Sequence, residues 1–194
     1  MDKDMQTEGV ENQNPKTDLF VALRMRRACR NYDTSRPVPK ELLQKLVYAA
    51  HRAPTGGNTP YRFIVVITDP IQLKMISLVS PGLFGNPPAL FVICTRTRLG
   101  KEELCKLDLD SSAHIDAGAA AENIVLAAYS LGLAACFVQS YSEVGVTSVL
   151  ELPSDTRTEL IVTVGYPAKN ELPSLKKSAA AKVTYFNKYG NQDW

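Results

Sequence analysis

What this chain lacks narrows its function first. Among its 194 residues there are only two histidines, His51 and His114, with no HxxxH or HExxH pairing. A zinc or di-metal centre therefore has no ligand set to build on. The four cysteines are Cys29, Cys94, Cys105 and Cys136, no two at CxxC spacing, so no secreted disulfide framework is implied. Cys94 and Cys136 fall in apolar, strand-like runs, where a thiol behaves as a small buried hydrophobe. No GxSxG elbow, no locally supported Cys–His pair and no Ser-His-Asp order is present, which leaves a hydrolase reading without a nucleophile. The phosphate-loop signatures GxGxxG and GxxxxGK[ST] do not supply the glycine run at 56–57 with a meaning.

An excess of one charge is missing too. Twenty-two Lys+Arg against 20 Asp+Glu leave a net charge of +2, too little to draw nucleic acid or an acidic membrane. Long apolar runs are absent. The most apolar stretch, from Ala113 to Val138, is interrupted by Asp116, Glu122 and Asn123, which excludes a membrane span. The opening MDKDMQTEGVENQNPK has neither a basic n-region nor an apolar core, so it is no secretory signal, and a cytoplasmic location is expected by default.

What is present is ordinary for a globular domain: 45% hydrophobic and 22% charged residues, enough for one sizeable core. Residues 1–16 are polar and aperiodic and read as a disordered leader; residues 17–194 read as a single domain. Thr17 or Asp18 caps a short helix with Phe20, Ala22 and Leu23 on its apolar side, running into the basic turn MRRACRNYD. After Pro37-Val38-Pro39, the spacing of Leu42, Leu43, Leu46, Val47 and Ala50 predicts an amphipathic helix over Lys40–His51. Strands are expected at 63–68, 89–95, 134–138 and 159–164, with short helices after Asp69-Pro70 and over 143–150. The longest helix, 111–131, is crowded with alanine and suits a central position, with Gly132 just past its end. The class is α+β, and the continuous apolar runs imply a sheet covered on both faces.

Four constellations carry polar chemistry. Arg26, Arg27 and Arg30 could neutralise a phosphate dianion, Arg26 and Arg30 sharing a face if the segment is helical; each charged hydrogen bond contributes roughly 1.5–3 kcal/mol. Pro54-Thr55-Gly56-Gly57-Asn58 offers a hydroxyl, an amide and backbone N–H groups in a turn that admits positive φ. Gln139 and Ser140 follow a buried strand, where α/β ligands collect. Lys176 and Lys177 lie in a basic tail that ends with Tyr185, Phe186 and Tyr189. Each also reads alone as ordinary structure: a solvated basic end, a plain turn, a helix cap at Ser140 or Ser142, an exposed tail. The lack of any side-chain nucleophile favours chemistry carried by a bound cofactor.

The order of these pieces resembles the nitroreductase family. RRACRNYDTSRPVPKELLQKLVYAAHRAPTGGN before an FIVV strand is similar to that family's opening. IDAGAAAENIVLAAYSLGLAACFVQSY resembles its central helix and following strand, and LIVTVGYP with a basic pair and aromatic tail resembles its ending. The resemblance implies an α+β fold with a mainly antiparallel sheet flanked by helices. It implies an intertwined homodimer, tail 172–194 either wrapping the partner subunit or packing on its own domain. It further implies an FMN-dependent oxidoreductase passing hydride from NADPH or NADH through flavin N5 to a small electron-poor acceptor, nitroaromatic or quinone-like, with no nucleic-acid or membrane partner. Arg26, Arg27, Ala28 and Arg30 match the family's phosphate and flavin contacts. Pro54, Thr55, Gly56 and Asn58 match a loop that touches FMN in part from the other subunit. Gln139 and Ser140 match the position flanking N5, and Lys176 or Lys177 the C-terminal phosphate contact. Ala28 stands where the family commonly has serine, and the loop runs one residue short after Asn58. The same residues would serve two rivals: an oxygen-using, flavin-fragmenting or azoline-oxidising relative, and a non-catalytic flavin-binding module.

Overall fold

The structure is a computed structural model that describes residues 18–97, 109–168 and 183–192. The leader 1–16 and Lys176 and Lys177 lie outside the described residues. Side-chain chemistry sets where the helices begin. The Asp18 carboxylate accepts the N–H groups of Phe20 and Val21 at 2.8 and 3.3 Å, opening α1 (Leu19–Met25). The Asp69 carboxylate caps α3 (Pro70–Leu78) in the same way through Ile71 and Gln72. Ser142, rather than Ser140, caps α5 (Glu143–Val149) by accepting from Gly145.

α2 (Lys40–His51) has the expected bounds. α4 spans Leu109–Ser130, and Gly132 follows it with φ +72°. The strands are β1 (Arg62–Ile67), β2 (Ala89–Arg96), β3 (Ala134–Val138) and β4 (Thr156–Gly165). β4 starts three residues earlier than hydrophobicity alone places it, because Thr156, Arg157 and Thr158 pair with the polar end of β2.

The four strands run in the order β1-β2-β4-β3, every pairing antiparallel. β2 and β4 are central, which is why they read as unbroken apolar runs: Ala89 to Thr95 are all buried. A bulge interrupts their register, Ile93 facing Leu160 and Cys94 facing Thr158, so that Glu159 is the extra residue. On one face Phe91, Ile93, Val162 and Val164 pack against Leu46 and Ala50 of α2 and Ala117, Ala120, Ala121, Ile124 and Ala128 of α4. On the other, Leu90, Val92, Ile161 and Val138 pack against Ile76 of α3 and Val146 of α5. The alanines of α4 let α2 and the sheet both approach it.

Two points that the sequence left open are decided here. The chain leaves the helical region at Arg26 (φ −56°, ψ 143°), so Arg26 and Arg30 are not on one helix face. The segment instead runs extended along the sheet, Ala28 bridging Ala135 in parallel and Tyr32 bridging Pro167. β3 offers an unpaired edge there, and its hydrogen bonds outweigh the helical preference of a short, basic stretch. Secondly, the apolar side of α1 is not buried within the chain. Only Ala22 is; Phe20 stays 76% exposed and Leu23 46%.

Candidate functional site

The extended segment after α1 and the outgoing end of β3 form two walls of a cleft of about 280 Å³. Arg26, Ala28 and Arg30 line one wall, Ala135, Phe137 and Gln139 the other, and Val125 of α4 contributes from the helix layer. The parallel bridge between Ala28 and Ala135 is what sets these walls side by side. Side chains two apart on an extended segment share a face, which puts Arg26, Ala28 and Arg30 together without any helix. A second cavity of about 190 Å³ shares Arg26, Val125 and Ala135 with the first and is further lined by Arg27 and Tyr129.

Each arginine is held differently. Arg26 Nε donates to Glu122 Oε1 of α4 at 3.1 Å, both side chains being little more than one-third exposed. That contact orients the guanidinium and leaves its terminal amino groups for a ligand. Arg27 turns back on α1: its Nη1 donates to the carbonyl oxygens of Arg24 and Arg26 at 2.7 and 2.6 Å, serving as a charged cap for the helix end. Arg30 is exposed on the cleft wall. Its charge opposes the upward push that burial gives the neighbouring Cys136 thiol.

The loop before β2 supports both walls from below. Gly82 N–H donates to the Ser140 carbonyl at 2.9 Å. At Gly85 an added Cβ would sit 2.0 Å from the Arg30 carbonyl oxygen. Behind the extended segment, the Tyr32 hydroxyl donates to the Cys29 carbonyl at 2.7 Å and lies 2.6 Å from Thr163 Oγ1. Burial pushes the Tyr32 phenol well above its usual range, so it remains a donor.

Pro54, Thr55, Gly56 and Asn58 do not line this cleft. They form a 3-10 turn over Gly56–Asn58 at the end of α2, Gly57 and Asn58 adopting φ of +59° and +56°. Gly56 N–H donates to Asp116 of α4. Asp116 and Glu122 are six residues apart, so the loop is anchored about 9 Å along α4 from the contact that holds Arg26. Gln139 and Ser140 are exposed beyond the end of β3. The structure thus brings Arg26, Ala28, Arg30 and Gln139 together, with Ser140 beside them in the chain, and keeps the glycine loop apart.

A larger groove of about 570 Å³ runs along α3 past Pro37, Lys74, Asn86 and Leu90. Among the described residues, none of the candidate cofactor-binding residues lines it. The sequence reading missed Glu122, Asp116, Tyr61, Arg62, Gly82 and Gly85 as participants. For the first two a signal existed: they are the acidic interruptions of an otherwise apolar, alanine-rich helix.

Comparison with known proteins bears on the family and the fold. The model of the Nitroreductase family matches residues 23–80 and 72–166. A protein of Methanothermobacter thermautotrophicus, provisionally named NADH dehydrogenase/NAD(P)H nitroreductase, is 29% identical over 168 residues, 83% of each chain. The FMN reductase (NADPH) of Bacillus subtilis is 27% identical over 175 residues, 79% of this chain and 69% of its own. Among solved structures, an FMN-dependent nitroreductase of Clostridium difficile R20291 superposes with a TM-score of 0.68 at 26% identity, covering 87% of this chain and 98% of the other. The family model spans most of the chain, the solved structure shares its fold, and the chain belongs to the nitroreductase family.

Proposed function

We propose that this chain is an FMN-dependent oxidoreductase that takes reducing equivalents from NADPH or NADH and passes them to a small electron-poor acceptor, working as a homodimer. The observation that carries the reading is the cleft in which Arg26 and Arg30 face Phe137 and Gln139. Its residues fit the cofactor. Two guanidinium groups suit a phosphate and an electron-rich ring edge. The half-exposed Phe137 and the aliphatic walls suit a flat apolar ring system. Family membership and the relatives named for FMN and NAD(P)H support the same assignment.

Bound there, FMN would supply the two-electron chemistry, which explains why no side-chain nucleophile is needed. The chain's own residues bind and polarise. Arg26, oriented by Glu122, is assigned to the phosphate, with Lys176 or Lys177 as a second cation. Arg27 and Ala28 flank that contact, Arg27 by fixing the end of α1. Arg30 is assigned to the pyrimidine edge, where a positive charge stabilises an anionic reduced ring. Gln139 and Ser140 are assigned to the N5 side, and Pro54, Thr55, Gly56 and Asn58 to a ring contact reaching the flavin of the other subunit.

The dimer is supported by what a single chain leaves uncovered. Leu19, Phe20, Val21 and Leu23 of α1 are 58%, 76%, 38% and 46% exposed, a concentration of apolar surface that α1 alone does not explain. Val183, Tyr185 and Tyr189 of the tail are exposed as well. A glycine loop anchored away from the cleft also fits a site completed by a second subunit. Among the described residues no helix is long and apolar enough to cross a membrane.

The test is the visible spectrum of the purified protein, repeated after NADPH and then NADH without oxygen. Flavin bands that bleach support the reading. Bands that persist with both donors favour the oxygen-using relative or the binding module. A protein that neither carries nor takes up FMN refutes it. Arg26→Ala is expected to weaken FMN binding by about tenfold or more, the loss of one charged contact. Unchanged affinity removes Arg26 from the phosphate.

A further inference from the structure

Asp116 is a carboxylate only 6% exposed, set among alanines in the early turns of α4. A charge so placed persists only where donors satisfy it. Two converge on its Oδ2: the N–H of Gly56 at 2.7 Å and the hydroxyl of Tyr61. Tyr61 is itself 1% exposed. Burial, and after it the nearby carboxylate, push its phenol well above the usual range, so it stays protonated and donates.

The next residue in the chain completes the arrangement. Arg62 donates Nη1 to the Asp116 carbonyl oxygen at 2.7 Å and Nη2 to the Ala53 and Ala50 carbonyls at 2.9 and 3.2 Å. The end of α2, the first glycine of the loop and the strand beyond it are thus all tied to one residue of α4. Within the loop, Asn58 N–H is taken by the Thr55 carbonyl at 3.0 Å and Thr59 N–H by the Gly56 carbonyl at 3.2 Å. The turn is internally closed, and two bonds set its orientation on the domain: that of Gly56 to Asp116, and that of the Pro54 carbonyl, which accepts from Arg62 Nη1 at 3.2 Å.

We propose that Asp116, held by Tyr61, is a positioning residue for the cofactor: it fixes the Thr55–Gly56 peptide and so decides which groups of Thr55 to Asn58 are presented to the flavin. This rests on the flavin reading above. Asp116 touches no reacting atom; it acts through Gly56. Because both donors meet one oxygen, an amide in its place keeps an acceptor there at reduced strength, whereas alanine keeps none.

The experiment compares wild type, Asp116→Asn, Asp116→Ala and Tyr61→Phe as full chains. FMN affinity is titrated on the apoprotein, visible circular dichroism is recorded on bound FMN, and amide hydrogen exchange of Gly56 and the thermal midpoint are followed without cofactor. Asp116→Ala is expected to raise the FMN dissociation constant about tenfold or more, with Asp116→Asn recovering most of the loss. Gly56 exchange accelerates in the same order, and the dichroism of the remaining bound flavin changes. If Asp116→Ala does not fold, Asp116→Asn and Tyr61→Phe, which keep the buried volume, decide on the same readouts. Variants whose midpoint falls while affinity and dichroism match wild type make Asp116 a purely structural anchor and overturn the inference alone. A wild-type chain that binds no FMN overturns both this inference and the flavin reading, even if Gly56 exchange responds.

Discussion

Replacing Gly85 with alanine should damage this protein through one identifiable contact. Gly85 has φ +80°, and an added Cβ would lie 2.0 Å from the carbonyl oxygen and 2.6 Å from the carbonyl carbon of Arg30. The left-handed backbone costs an alanine about 1–2 kcal/mol. Atoms at that distance cannot coexist, and since the obstacle is backbone no side chain can rotate away, so the loop and the Arg30 segment must separate by about 1 Å at a further cost of roughly 1–3 kcal/mol. A total near 3 kcal/mol lowers the melting temperature by roughly 6–12 °C in a domain of this size. Two controls separate the causes. Gly132 has φ +72° and open space around its Cβ position, so Gly132→Ala should cost only the backbone strain, about 1 kcal/mol. Gly118 lies within α4 with nothing near its Cβ position, and alanine there should be neutral or stabilising by up to about 1 kcal/mol. Thermal melts of the three variants give the stabilities, and FMN titration shows whether Arg30 has moved. Gly85→Ala melting no lower than Gly132→Ala refutes the contact argument. Normal stability with normal FMN affinity refutes the view that this loop supports the cleft.

Tyr32, Tyr61 and Tyr141 are all raised above the ordinary value of 10.0, burial being the largest cause in each. The native state then holds protons that the unfolded chain gives up, so stability is full below about pH 10 and falls as pH rises past it. Denaturant midpoints followed against tyrosinate absorbance check this, and Tyr32→Phe should reduce the slope; a flat profile across that range contradicts it. Glu159 has a fully buried side chain whose Oε1 accepts from Arg157 Nε at 2.8 Å and from the Thr95 hydroxyl, while His114 Nδ1 stands 2.6 Å from Oε2. Glu159→Ala should destabilise by about 1–3 kcal/mol, measured by denaturation, because it leaves the buried Thr95 hydroxyl and the partly buried Arg157 without their acceptor. A loss below about 1 kcal/mol would mean that the cluster reorganises without it.

Much of the fold was legible because its signals are local. Leu42, Leu46 and Ala50 mark α2 by spacing, Asp18 and Asp69 mark helix starts by their carboxylates, and the apolar runs of β2 and β4 mark central strands. What the sequence left open was the conformation of Arg26 to Arg30. Nothing within that stretch says that β3 offers an edge to bridge, since the partner Ala135 lies more than a hundred residues away. For α1 an apolar face is visible in the sequence, but what covers it is not. Glu122 and Asp116 were visible as polar interruptions of α4, yet their partners at Arg26 and Gly56 are set only by the tertiary structure.

By itself the sequence determined the fold class, the order of elements and, through the order of its motifs, the family. The first two follow from periodicity, capping and residue type, which act over a few neighbours, and the family from the resemblance that its motifs carry. Tertiary structure decided that an extended segment sets Arg26, Ala28 and Arg30 against Gln139, that the glycine loop belongs to a different part of α4, and that glycines at 82 and 85 lie beneath both walls. Those depend on which distant backbones approach each other, and hydrogen bonding and packing fix that only when the whole sheet has formed.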